Sequence, residues 1–254
     1  MSHGDWGIDV KPCDFVNQCD FRNVVIPSEI TAVYHMAGLS RVHQVDDSPE
    51  LAIGLAKELD NLICKSGPDR LFVLASSKEV LGDVRDADLS SPLAPKSLYA
   101  ELKAYQEKVA LRYAEMGWPV KIVRFSTVYG EIHRDYESRV IPSFIRSAIR
   151  NQPLVVCGPN KLLEPTNLAI VRDHVLGLDT NSNQLTILGS GQPISLLDLA
   201  ELIVELTESK SEIITKEASM KHGDFSSAIV RPEFNLVEQL FGEIQNYRSS
   251  LRAF

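Results

Sequence analysis

Short apolar runs alternate with longer amphipathic stretches through the first half of the chain. That alternation confines it to βαβ units around a mainly parallel sheet. Residues 32–36, 70–75 and 120–125 read as strands. Between the first two, Pro49 opens a helical pattern with Ser48 as N-cap and Leu51, Ile53, Leu55, Leu59 and Ile63 as its apolar stripe. Residues 95–117 form a second helical pattern, with Leu98, Leu102, Val109 and Tyr113 at helical intervals and Gly117-Trp118-Pro119 as its stop. Past Gly130 the pattern loosens into a polar loop over 131–139, a helix from Pro142 to about Asn151 and strands at 153–157 and 185–188. A further helix begins at Ser195 and runs to Leu206. The expected organisation is an α/β domain over 1–150 and a smaller α+β region over 151–254 that shares its core.

Composition excludes several functions. A formal charge of −8 with no cluster of Lys and Arg argues against a nucleic-acid partner. No window reaches the eighteen or so apolar residues of a membrane span, and no basic segment followed by an apolar run opens the chain. A cytoplasmic protein with no membrane partner is the expectation. The cysteines, Cys13, Cys19, Cys64 and Cys157, show no CxxC spacing, and the histidines do not fall at ligand intervals around them. No metal site is expected, and Cys64 and Cys157 read as core residues. His35 also reads as a core strand residue, and His174 and His43 as surface.

Chemistry concentrates in Ser97-Leu98-Tyr99-Ala100-Glu101-Leu102-Lys103. Tyr99 and Lys103 stand four residues apart, on one helical face, where an ammonium near a phenol favours its ionised form. Ser76 and Ser77 end the preceding strand, and open α/β sheets build their sites at the carboxyl ends of strands. By spacing alone, Tyr99 and Lys103 could equally be ordinary helix residues. The strand-end hydroxyls turn the set into a candidate acid–base site.

These residues resemble the extended short-chain dehydrogenase/reductase family, the NAD-dependent epimerases and dehydratases of nucleotide sugars. Val33-Tyr34-His35-Met36-Ala37-Gly38 is similar to that family's strand ending in His-Leu-Ala-Ala, and Asp47-Ser48-Pro49 to the Asp-Pro that starts its next helix. Ser76-Ser77-Lys78-Glu79-Val80-Leu81-Gly82 resembles Ser-Ser-x-x-Val-Tyr-Gly, and Tyr99 to Lys103 matches YxxxK. Arg124-Phe125-Ser126-Thr127-Val128-Tyr129-Gly130 is similar to Arg-x-x-Asn-x-Tyr-Gly, and residues 187–195 match a turn of the substrate region.

The resemblance implies a Rossmann-like fold, a mainly parallel sheet with helices on both faces. It also implies NAD or NADP as cofactor and a small-molecule substrate of the nucleotide-sugar kind. Tyr99 would then be the general acid/base, Lys103 the cation that lowers its pKa and touches the nicotinamide ribose, and Ser77 the donor to the reacting oxygen. Asp20 matches the aspartate beside the adenine. Ala37, Phe125 and Ser126 fall among the cofactor contacts, with Ser126 standing where asparagine is usual. Ser76 and Glu79 fall among the substrate contacts; Glu79 is half of a carboxylate pair whose other place is held by Lys78. Arg146 is a phosphate contact by the same analogy, or else an exposed helix charge. Thr166 occupies a position where arginine is common, and Leu81 one where tyrosine is.

No Gly-rich turn precedes Asp20, so on this reading the first βαβ unit is missing. Gly189-Ser190-Gly191 does not replace it: Ile194 stands at the third glycine position, and the segment reads as a structural turn. Three alternatives stay open: a shortened NAD-dependent enzyme, a cofactor-independent isomerase or lyase on the same scaffold, and a non-catalytic binding partner. Family members often dimerise through the helices matching 49–65 and 97–115, so a homodimer is expected.

Overall fold

Pro49 at the first helical position, Glu50 in the first turn and Lys65 in the last suit a helix and its dipole, and α2 (Pro49–Ser66) forms there. Gly67 ends it in the left-handed region at φ 78°. The computed structural model describes residues 26, 28–39, 41–130, 139–217, 225–227 and 234–252. Asp20 lies outside them. The chain divides into two units, residues 1–80, 95–124 and 178–186 in the first and 81–94, 125–177 and 187–254 in the second.

Strands β1 (Ala32–His35), β2 (Leu71–Ser77), β4 (Val120–Phe125) and β9 (Leu185–Leu188) form one sheet in the order β1-β2-β4-β9, of which β1, β2, β4 up to Arg124 and β9 up to Thr186 belong to the first unit. β1 and β2 run parallel, with Ala32 opposite Leu71 and His35 opposite Leu74. β2 is buried along both faces, as its unbroken apolar run Leu71-Phe72-Val73-Leu74 requires. Helices α2 and α3 (Leu98–Glu115) pack against it, with Leu59, Leu62 and Ile63 from α2 and Ala110 and Tyr113 from α3 meeting Phe72, Leu74, Val120 and Ile122. A short helix, α1 (Val42–Asp47), precedes α2 and buries Val45. Ser97 caps α3: its Oγ accepts the Ala100 N–H at 3.2 Å. The helix therefore begins at Leu98, three residues after the expected Pro95.

The second unit holds short strand pairs. These are β3 (Val84–Ala87) with β12 (Phe225–Ser227), β5 (Thr127–Tyr129) with β8 (Pro165–Asn167), β6 (Leu154–Cys157) with β11 (Ile213–Lys216), and the antiparallel β7 (Leu162–Leu163) with β10 (Ile194–Ser195). Its core gathers side chains of α4 (Val140–Ile149), α6 (Leu196–Thr207) and α7 (Leu236–Arg252) around Leu154 and Val156. α5 (Leu168–Leu176) follows β8 and is capped by Asn167, whose Oδ1 accepts the Ala169 N–H at 2.8 Å.

Expectations at four residues are corrected. Cys157 is exposed, because β6 alternates and turns Leu154 and Val156 inward, leaving Val155 and Cys157 outside. Cys64 is also exposed on α2, with Sγ 2.9 Å from the Tyr113 hydroxyl. Ser48 stands at the N-cap of α2, yet its side chain makes no capping bond. His174 is half-buried on α5 rather than on the surface.

Candidate active site

The carboxyl end of β1 and the amino-terminal half of α3 face one another across a solvent-open cleft with about 400 Å³ of empty space. His35, Ala37 and Gly38 line one side, and Tyr99, Lys103 and Gln106 another. Val45, Ala52, Leu55 and Ala56 supply apolar wall from α1 and α2. An apolar lining with a few converging polar groups is the usual makeup of small-molecule sites.

Lys103 Nζ donates to Ala75 O at 2.9 Å, one bond among the described residues for an ammonium with three donors. Loss of surrounding water pushes it from 10.5 down to about 8, against an opposing pull from Glu107. Tyr99, in the first turn of α3, is half-buried in the same wall. Ser77 is buried at the end of β2; its Oγ accepts the Glu79 N–H at 3.2 Å as the chain turns into a short 3-10 segment (Lys78–Leu81). Glu79 is half-buried with its carboxylate 3.7 Å from Lys78 Nζ.

Ser76 turns inward. Its Oγ donates to Glu107 Oε1 at 2.6 Å, and Glu107 is paired with Arg124 through Nε to Oε1 at 2.9 Å and Nη2 to Oε2 at 2.8 Å. Ser76, Glu107 and Arg124 are all buried, and Arg124 Nη1 meets no acceptor among the described residues. Sequence reasoning passed over Glu107 and Arg124 as a site. The available signal was a glutamate one helical turn beyond Lys103 and an arginine inside an otherwise apolar strand.

Phe125, Ser126 and Arg146 belong to the second unit. Phe125 closes β4 half-buried, and Arg146 is half-buried on α4. Ser126 Oγ donates to Glu164 O at 2.8 Å and lies 2.9 Å from Thr166 Oγ1. Two of the positions where the sequence departs from the family pattern thus bond to one another. Glu164 is fully buried, and its Oε1 accepts the Gly191 N–H at 2.6 Å; a Cβ on Gly189 would overlap the same carboxylate. The Gly189-Ser190-Gly191 segment is therefore shaped to a protein carboxylate, as a structural turn would be. Among the described residues no group of His, Cys, Asp and Glu could hold a metal ion, and no helix is long and apolar enough to cross a membrane.

His35 gives a test of this electrostatic picture. Burial, and then the charge of Lys103, pushes its imidazole from 6.5 down to about 4, so the folded chain holds it neutral. As pH falls from 6.5 towards 4 the unfolded chain takes up a proton that the folded one does not. The stability present above pH 6.5 then declines by roughly 3 kcal/mol from this group. Urea unfolding at stepped pH should show a shallower acid decline in His35→Asn than in the native chain; equal slopes would contradict the assignment.

The model of the NAD dependent epimerase/dehydratase family matches residues 6–191. The chain belongs to that family. Among relatives, the UDP-N-acetyl-alpha-D-glucosaminuronate decarboxylase of Bacillus cytotoxicus is 33% identical over 120 residues, 46% of this chain and 37% of that protein. UDP-glucuronic acid decarboxylase 1 of Danio rerio is 28% identical over 154 residues, 56% of this chain and 36% of that one. The chain thus spans little more than a third of the length of these two relatives. Among solved structures, the NAD dependent NDP-hexosamine 5,6-dehydratase TunA superposes with a TM-score of 0.78 at 23% identity, covering 92% of this chain and 81% of that one. MoeE5, solved with UDP-glucose and NAD, gives 0.75 at 24% identity, covering 87% and 80%. These likenesses establish the Rossmann-like α/β fold with its mainly parallel sheet.

Proposed function

We propose that this family member carries an acid–base centre for nicotinamide-dependent chemistry on a nucleotide sugar, with Tyr99, Lys103 and Ser77 as its working groups. The observation that carries the reading is the lining of one cleft by Tyr99 and Lys103 on one side and the end of β1 on the other. The activities of the relatives, decarboxylation and dehydration of nucleotide-linked sugars, support the substrate class.

In this reading Tyr99 exchanges a proton with a sugar hydroxyl or carbonyl. A phenol near pKa 10 is a poor base at neutral pH, and a neighbouring ammonium favours the phenolate. Lys103 supplies that charge. Ser77, whose oxygen is already accepting from Glu79 N, is left with its hydroxyl proton to donate to the reacting oxygen.

NAD or NADP suits the donor set. An ammonium drawn out of water, with one described bond to Ala75 O, keeps donors for ribose hydroxyls, and the apolar wall of the cleft suits a flat heterocycle. Lys103 and the backbone around Ala37 would hold the nicotinamide half. When bound, the dinucleotide supplies the hydride acceptor.

Calorimetry with NAD and with NADP tests the cofactor arm. Saturable heat with one of them is expected, weakened roughly tenfold or more in Lys103→Met, since a hydrogen bond to a charged donor is lost. Silence with both dinucleotides would overturn it.

A further inference from the structure

Strand β2 and helix α3 are joined by two side-chain links one helical turn apart. Lys103 on α3 donates to Ala75 O, and Glu107, four residues further along the same face, accepts from Ser76, the next residue of the strand. Arg124 reaches in from β4 and takes both oxygens of the Glu107 carboxylate. Two strands of the sheet and α3, the helix that lines the cleft, are therefore tied through one carboxylate. Stability alone is a weak reason for such a cluster, because removing two charges from water offsets most of their attraction, and apolar residues of the same volume often hold a core as well.

The placement gives a better reason. We infer that Glu107, clamped by Ser76 and Arg124 one helical turn from Lys103 on the same face, is a positioning residue that supplies the buried counter-charge of the Lys103 ammonium. The inference rests on the role given to Lys103 above and extends it to the residues behind it. The groups facing Lys103 are few. Its own helix contributes Tyr99 and Glu107, β1 contributes His35, and β2 the Ala75 carbonyl. α1 and α2 turn Val45 and Ala52 to the cleft, while His43, Asp46 and Asp47 are exposed on α1; β4 acts through Arg124, behind Glu107. His35 is held neutral, so Glu107 is the anion that works against the desolvation of the ammonium. Ser76 and Arg124 fix the rotamer of that anion, and Ser76 also anchors the strand residue next to Ser77.

The test is a side-chain NMR titration of Lys103 in the full chain, with the resonance assigned through Lys103→Arg. Glu107→Gln should lower the Lys103 midpoint by about one pH unit or more. An unchanged midpoint in the folded variant would overturn the inference. Where Glu107→Gln leaves Arg124 unpaired and fails to fold, Glu107→Gln/Arg124→Gln is compared with Arg124→Gln, which keeps the Glu107 charge; the midpoint must be lower in the double variant, and an equal or higher value overturns the inference. NAD calorimetry on the native chain separates the two proposals. Binding of NAD with a midpoint that ignores Glu107 defeats the counter-charge and leaves the cofactor reading standing. A responsive midpoint without NAD or NADP binding upholds the counter-charge and defeats the cofactor reading.

Discussion

Arg124→Gln should lower the unfolding free energy by about 3–5 kcal/mol, the size seen when one partner of a buried ion pair is removed. The carboxylate of Glu107 is fully enclosed, and in the native chain it receives three hydrogen bonds, one from Ser76 and two from Arg124. The variant keeps the Ser76 bond and leaves a desolvated charge without its counter-ion. Water cannot replace the guanidinium without opening the contact between α3, β2 and β4. The penalty therefore belongs to the orphaned charge, not to the lost attraction, and this makes a sharp comparison possible. Glu107→Gln/Arg124→Gln removes both charges, keeps amide hydrogen bonding in both places and should recover most of the loss. Urea unfolding of the two variants measures the difference. Equal destabilisation in both would mean that packing volume, rather than charge, is what the cluster contributes.

That cluster also marks the limit of what could be read from the residues in order. The strand at 120–125 stands where its apolar run placed it, because central strands of a parallel sheet are buried on both faces and announce themselves by composition. Tyr99 and Lys103 share a cleft wall because a four-residue spacing on a helix leaves little choice. Glu107 was invisible for the same reason that Lys103 was conspicuous: on an amphipathic helix a glutamate reads as solvated, and only the arrival of Arg124 from a distant strand makes it internal. The short pairs β7 with β10 and β3 with β12 draw their register from a partner far along the chain, so no local period could signal them. α7 was legible and passed over. Leu236, Leu240, Ile244 and Tyr247 repeat at helical spacing and are all buried, and Asn235 accepts the Glu238 N–H at 3.2 Å. Ser126 and Thr166 show the opposite case. Each looked like a separate departure from the family pattern, and their shared hydrogen bond makes them one local change.

Tyr99→Phe should reduce turnover of a nucleotide sugar by on the order of 10²–10⁴-fold, the range lost with a general acid–base group. The substitution deletes one oxygen. Ser97 still caps α3, the ring still fills the half-buried first turn, and the Lys103 bond to Ala75 does not involve it. Unfolding free energy and the calorimetric response to NAD should therefore stay close to native, which confines the effect to proton transfer. The native profile adds a second mark. Lys103 carries its charge below about pH 8 and loses it above, so the cation that favours the phenolate fades as pH rises through that value. Turnover should decline on that alkaline side, and Glu107→Gln should move the decline to lower pH. A Tyr99→Phe variant that retains turnover within tenfold of native would remove the phenol from the chemistry and leave Lys103 and Ser77 as binding groups.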